Sequence, residues 1–222
     1  MQPRPMQGGK FISFEGSEGC GKSTQIRRLV GSLESAGHDV LLTREPGGTV
    51  VGEKVRDLLQ HTPEASNMTD ESELLLFAAS RAQLVREVIR PALERGTWVI
   101  ADRFLDSTTV YQGIARGLDR EKVEAINRFA VGDLLPELTI LLDLDAGVGH
   151  GRAVATRVDN EPDRIEDQPL TFFEKVRQGY LDLAASESRI VVIDARGGIE
   201  EIAEEIQKIV IERLNPERAP EA

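Results

Sequence analysis

The chain has 222 residues, 40% hydrophobic and 29% charged, with 27 basic against 38 acidic side chains and a formal net charge of −11. That balance argues against non-specific binding to DNA, RNA or an anionic membrane, although a few local arginines suffice to hold a nucleotide. The length suits one α/β domain with insertions and a substantial core, and a single cysteine excludes an internal disulfide and fits a reducing compartment.

The opening MQPRPMQGG lacks an apolar core, so residues 1–9 are expected to be a flexible lead-in and not a secretory signal. An alternating apolar run at 10–15 predicts the first strand. Gly16-Ser17-Glu18-Gly19-Cys20-Gly21-Lys22-Ser23 follows and fits G-x-x-x-x-G-K-[ST], and helical periodicity starts at once with Thr24-Gln25-Ile26. A phosphate-binding loop belongs between a buried strand and a helix N-terminus. Its glycines let backbone N–H groups converge on phosphate oxygens, and the helix dipole adds positive charge. Lys22 is expected to reach the terminal phosphates, and Ser23 to hold Mg²⁺ through its hydroxyl. Cys20 reads as a small loop residue.

The first helix, 22–36, is expected to close at Gly37, and the second strand, 39–43, runs into Thr43-Arg44-Glu45-Pro46-Gly47-Gly48-Thr49. Helices follow at 50–60 and 70–95; Pro91 predicts a kink in the longer one and Gly96 its cap. That helix puts Phe77 and Arg81 on one face, where a ring and a guanidinium can stack on a base and hold its edge or phosphate. The third strand, 97–102, ends in Asp102-Arg103. A carboxylate there can organise Mg²⁺ or its water shell, and the arginine beside it offers a bidentate fork to phosphate.

Helices are predicted at 108–115 and 120–131, a fourth strand at 138–143, and a helix at 147–157. Residues 152–168 then mix Arg152, Arg157 and Arg164 with polar residues, as a mobile lid over a transferring phosphoryl group would. A helix at 169–185, a strand at 189–194 and a helix at 199–214 complete the pattern, before a polar tail at 215–222 that is expected to be flexible. The strands are short and mostly apolar, as parallel strands covered on both faces should be. The fold class is therefore α/β: a three-layer, doubly wound, five-stranded parallel sheet with ligands at the carboxyl ends of its strands. One domain is expected over 10–214, with a helical lid at about 150–168. No apolar stretch approaches the roughly 20 residues of a membrane span, and His38, His61 and His150 are scattered with no Cys/His cluster. A cytoplasmic protein is expected.

The segments FEGSEGCGKST, TREPGGT, FAASRAQ, WVIADRF, STTVYQG and DRIE, in this order, resemble thymidylate kinase of the bacterial type over nearly the whole of 10–214. The resemblance implies ATP + dTMP giving ADP + dTDP, with Mg²⁺, in a cytoplasmic homodimer of the P-loop nucleoside monophosphate kinase superfamily. Residues 16–24, with Gly16, Ser17, Glu18, Gly19, Cys20, Gly21, Lys22, Ser23 and Thr24, would bind the ATP phosphates. Glu18 would also contact the 3′-hydroxyl of dTMP. Phe77 would stack on thymine, with Arg81 near the base and the acceptor phosphate. Arg103 would hold that phosphate, while Asp102 supports Mg²⁺. Thr108 and Gln112 fall at the thymine edge, Tyr111 where an aromatic side chain disfavours a 2′-hydroxyl, and Ser107, Pro46 and Arg56 in the same pocket. No basic residue stands at 17–20, which in this family goes with lid catalysis and makes Arg152 and Arg157 candidates beside Lys22 and Arg103.

Another nucleoside monophosphate kinase is the nearest alternative, since the loop and fold are shared. A GTP switch protein would carry N-K-x-D after a strand, and the chain has none. A non-catalytic nucleotide-binding scaffold sits poorly with the intact Lys22, Ser23, Asp102 and Arg103.

Overall fold

The computed structural model describes residues 8–156, 164–165 and 167–214. Five strands, β1 (Phe11–Glu15), β2 (Val40–Arg44), β3 (Trp98–Asp102), β4 (Leu138–Asp143) and β5 (Ile190–Asp194), form one all-parallel sheet in the order β2-β3-β1-β4-β5. Each lies within a residue or so of its predicted place.

The period of two along each strand divides the core. Ile12 and Phe14, Trp98 and Ile100, and Leu138, Ile140 and Leu142 face one side. There they meet Ile26, Leu29 and Leu33 of α1 (Lys22–Ser35) and Ile202, Ile206 and Val210 of α9 (Ile199–Leu214). Phe11, Val99 and Ala101 face the other side, against Leu84 of α3 (Asp70–Leu84), Val85 and Ile89 beyond it, and Ala92 of α4 (Arg90–Glu94). Leu141 meets Phe173, Val176 and Tyr180 of α8 (Leu170–Ser186) on that same side. Alternate side chains on a pleated strand point to opposite faces, so this is the expected three-layer sandwich.

The crossovers set where a ligand can sit. From β1 the chain builds outward to β3 and β2 on one side and to β4 and β5 on the other, so the switch point is the carboxyl end of β1. The register pairs Phe14 with Asp102, and Asp102 with Arg44. The phosphate loop, the Asp102-Arg103 turn and the Glu45-Pro46 turn are thereby gathered at one edge.

The predicted helix at 70–95 is corrected to α3, a π turn at Val85–Ile89, and α4. Pro91 has no N–H for the carbonyl four residues back and its ring crowds that carbonyl. The wider turn, in which the Arg90 N–H reaches Val85 O, takes up the misfit. The helix predicted at 108–115 begins earlier, as α5 (Leu105–Thr108), and continues as a π turn at Thr109–Ala115. Gly37 (φ 88°) and Gly96 (φ 84°) take left-handed conformations just past the helix ends, as expected. The remaining helices are α2 (Val50–Gln60), α6 (Arg120–Val131) and α7 (Ala146–Thr156). Most of the expected lid after α7, with Arg157, and the expected tails, except residues 8 and 9, lie outside the described residues.

Candidate active site

A cavity of about 880 Å³ opens over the carboxyl ends of the strands. The loop after β1 forms its floor. Gly21 (φ 92°) precedes α1 and no side chain caps that helix, so its first N–H groups stay available to an anion. The Lys22 Nζ donates to Gly16 O and Ser17 O, both at 3.1 Å, and lies 3.7 Å from Cys20 Sγ. Cys20, Gly21, Lys22, Ser23 and Thr24 line the cavity. Gly16 and Ser17 hold Lys22 from below. A Cβ on Gly19 (φ 69°) would stand 2.1 Å from Gly149 O, and one on Gly149 would stand 2.5 Å from Glu18 O. The loop and α7 therefore touch backbone to backbone, which brings Arg152 of α7 to the cavity wall.

Across the floor, Asp102 ends β3 and Arg103 turns with φ 70°, the only non-glycine residue with positive φ among those described. Positive φ in a bulky residue is a strained backbone held by its surroundings, and such strain gathers at functional sites. Here Arg103 Nη1 donates to Gly16 O (3.1 Å), Ser107 Oγ (3.2 Å) and Tyr180 OH (3.3 Å), and its guanidinium stands 5.1 Å over the Tyr111 ring. Its Nη2 pairs with Glu18 Oε1. Burial works to raise the Glu18 carboxyl, but the charges of Arg103 and Lys22 outweigh it and hold it below its ordinary value. Tyr111 OH lies 3.5 Å from the same carboxylate.

Beneath this layer is a residue to which the sequence alone assigned no role. Glu15 is fully buried and accepts from the Phe104 N–H (2.8 Å), Ser107 Oγ (2.6 Å) and Tyr180 OH (2.7 Å). Burial above all, then the nearby Asp106 carboxylate, push its pKa up to about 7 against the pull of Arg103 and the two hydroxyls. Its signal was the one used for Asp102, an acid closing an apolar strand. Tyr180 carried no signal, because a tyrosine on the apolar face of a helix reads as core.

Phe77, Pro46, Arg56, Ser107, Thr108, Tyr111 and Gln112 line the far half of the cavity. Arg56 Nη1 donates to Pro46 O at 3.0 Å. Arg81 is placed differently. It is 1% exposed and lies behind the wall, bonded to Glu45 (2.7 Å), Asn127 (2.8 Å) and Thr108 Oγ1 (2.8 Å). Glu45 Oε1 is buried with no partner, and burial raises the Glu45 carboxyl despite Arg81. Gln112 in turn is bonded to the buried Glu73 at the start of α3.

Ser23 and Asp102 reach the cavity as hard oxygen donors, which suits Mg²⁺. No group of three or more His, Cys, Asp or Glu able to hold a metal occurs among the described residues. That donor set fits an ion shared with substrate phosphates better than one caged by protein alone.

The thymidylate kinase family model matches residues 14–206. The chain is similar to thymidylate kinases of Desulfosudis oleivorans (51% identical over 198 residues, covering 87% of this chain and 92% of the relative) and Syntrophotalea carbinolica (49% over 209 residues, 92% and 96%). It is also similar to the crystal structure of thymidylate kinase from Ehrlichia chaffeensis, with a TM-score of 0.75 and 32% identity over 92% of this chain and 100% of that one. Agreement in sequence and fold over most of the chain, around a cavity that joins a phosphate loop to an aromatic and amide-lined recess, places this chain in the thymidylate kinase family.

Proposed function

We propose that the two halves of the cavity hold the two substrates of a nucleoside monophosphate kinase reaction, in which ATP phosphorylates dTMP to dTDP with Mg²⁺. The observation that carries this is the Arg103–Glu18 pair, which stands where the phosphate loop meets the recess of Phe77, Tyr111 and Gln112. The loop N–H groups and Lys22 take the donor phosphates. Arg103 takes the acceptor phosphate through the Nη2 edge now on Glu18, with Nη1 already fixed by Gly16, Ser107 and Tyr180. Glu18, released from Arg103, is then free to accept from the 3′-hydroxyl of the deoxyribose. Phe77 stacks on the base, while Pro46, Arg56 and Thr108 complete the recess. Arg81 acts from behind by fixing Glu45 and Thr108. Ser23 and Asp102 would hold Mg²⁺, which would supply charge neutralisation on the phosphates.

The acceptor phosphate oxygen is a nucleophile at neutral pH, so transfer is in line and needs no general base. Positioning and charge neutralisation carry the catalysis. With no basic residue at 17–20, the positive charge comes from Lys22 and from the lid expected at about 150–168, which begins within α7. Arg152, on the cavity wall, belongs to it, as does Arg157. Arg152→Ala should lower kcat on the order of 10³-fold, by comparison with arginine fingers. Near-normal kcat in both Arg152→Ala and Arg157→Ala would remove the lid assignment.

The substrate reading is tested by coupled ADP release with ATP and Mg²⁺ against dTMP, dUMP, UMP, CMP, AMP and GMP. Strong turnover confined to dTMP is expected, and a preference for UMP, CMP or AMP would reject it. A homodimer is proposed from the exposed apolar side chains Val51, Leu58, Leu75 and Phe129 on α2, α3 and α6, which pack side by side. No described helix is long and apolar enough to cross a membrane. A cytoplasmic location is proposed from the single cysteine and the acidic composition.

A further inference from the structure

Gln112 lines the base end of the cavity and is 2% exposed. Its amide has two unlike ends, a carbonyl that accepts and an NH₂ that donates. A base in the recess meets one of them, and which one decides what base edge is accepted. Gln112 alone does not settle this, because turning the amide by half a rotation swaps the ends at little steric cost.

Glu73 settles it. Glu73 is 1% exposed in the first turn of α3, and its Oε1 accepts from Gln112 Nε2 at 2.6 Å. The same carboxylate takes Arg116 at 3.1 Å and pairs with Arg164. As the partner of two guanidinium groups it is a carboxylate, and a carboxylate offers acceptors only. The NH₂ end of Gln112 must therefore face Glu73 through one of its two N–H groups, so the carbonyl Oε1, with at most the second N–H beside it, is what the cavity meets.

We infer that Glu73 is a specificity-positioning residue, which never touches the substrate but locks the Gln112 amide so that its carbonyl faces the base. The inference rests on the proposed place of Gln112 at the base edge. A carbonyl acceptor matches a base with a ring N–H at that edge, as thymine has at N3. Cytosine presents a lone pair at N3, so two acceptors would face each other in a dry recess. Discrimination of this kind is strong, because a mismatched partner leaves buried polar groups unpaired. Arg164, within the span expected to form the lid, binds the same carboxylate.

The test compares kcat/KM for dTMP and 5-methyl-dCMP, which differ at N3 and the 4-substituent but share the 5-methyl group. In Glu73→Gln the partner can donate as well as accept, so the Gln112 amide is no longer locked. The dTMP preference should fall at least about tenfold. Glu73→Asp, still acceptor-only, should keep the preference even where overall activity drops. Equal losses for both substrates in Glu73→Gln, with the preference intact, would mean a merely structural role and overturn the inference.

Gln112→Leu separates the inference from the reading beneath it. If Gln112→Leu leaves the preference intact, Gln112 is not at the base edge and both fall. If Gln112→Leu abolishes the preference and Glu73→Gln does not, the lock alone is wrong. Should Glu73→Gln fail to fold, the Gln112 side-chain amide signals of ¹⁵N-labelled wild-type protein decide. The Glu73-bound Nε2 proton should stay protected from exchange, and its resonance should barely move, when dTMP is added. Loss of protection and a large displacement of the resonance would show the NH₂ end turning to the ligand and would overturn the inference.

Discussion

Glu15 shows how one buried carboxylate can govern the orientation of a phosphate-binding arginine. By accepting from Ser107 Oγ and Tyr180 OH, which also bond each other at 2.8 Å, it holds both hydroxyls where they can accept from Arg103 Nη1. By accepting the Phe104 N–H it also pins the turn in which Arg103 has φ 70°. Its burial has a consequence for stability. With a pKa raised from 4.5 to about 7, the folded state binds a proton more tightly than the unfolded chain. That contribution is fully present below the unfolded value near 4.5 and is lost as pH rises through about 7. The swing is about 3 kcal/mol, since a tenfold change in proton affinity corresponds to about 1.36 kcal/mol. Glu15→Gln lacks the titration. Urea denaturation of both proteins should therefore show the variant gaining relative stability between pH 4.5 and about 7, and a constant difference would contradict the assignment. Glu15 also marks a limit of what is legible in sequence at this scale. Lys22, Ser23, Asp102 and Arg103 were legible because their motifs state a chemistry. Glu15, Glu73 and Tyr180 act through partners distant in sequence, and no local pattern announces a partner.

At the level of elements, the contact of the phosphate loop with α7 is the feature most sensitive to a single methyl group. A Cβ on Gly149 would meet Glu18 O at 2.5 Å, whereas one on Gly151, on the same helix, would meet nothing within 4 Å. Gly149→Ala should destabilise the protein by about 1–3 kcal/mol through overpacking and raise KM for both substrates as the loop shifts. Gly151→Ala should instead stabilise it by about 0.5–1 kcal/mol, the helix-propensity difference between glycine and alanine. Thermal unfolding of the two variants checks both, and equal effects would refute the close approach. The π turn before Pro91 has the same lesson. A proline inside an apolar helical pattern predicted a kink, but which carbonyls would rearrange depended on packing against β3 and its neighbours.

For the whole molecule, the homodimer proposed above would cover the exposed apolar side chains on α2, α3 and α6. Phe129 is 85% exposed. Lone exposed apolar residues are ordinary, and it is a contiguous patch that would mark an association surface, so the proposal is tested at the most exposed of them. Phe129→Asp should convert a dimer to a monomer in sedimentation while leaving the monomer's fold unchanged, since Phe129 makes little contact within the chain. Monomeric wild-type protein at micromolar concentration would reject this surface.

The residues alone determined the order of strands and helices, the phosphate loop, the carboxylate and arginine closing β3, and the kinase family that these motifs resemble. All are local: a periodicity of two or 3.6, a run of glycines, an acid at the end of an apolar run. The tertiary structure decided which of these meet. It put Arg81 behind the wall with Glu45, set Glu15 beneath Arg103, and placed Gln112 against Glu73. Those pairings depend on strand order and helix packing, which bring together side chains as distant in sequence as Glu15 and Tyr180, 165 residues apart. Burial then decides their charge and the direction of their hydrogen bonds, and burial is a property of the folded whole.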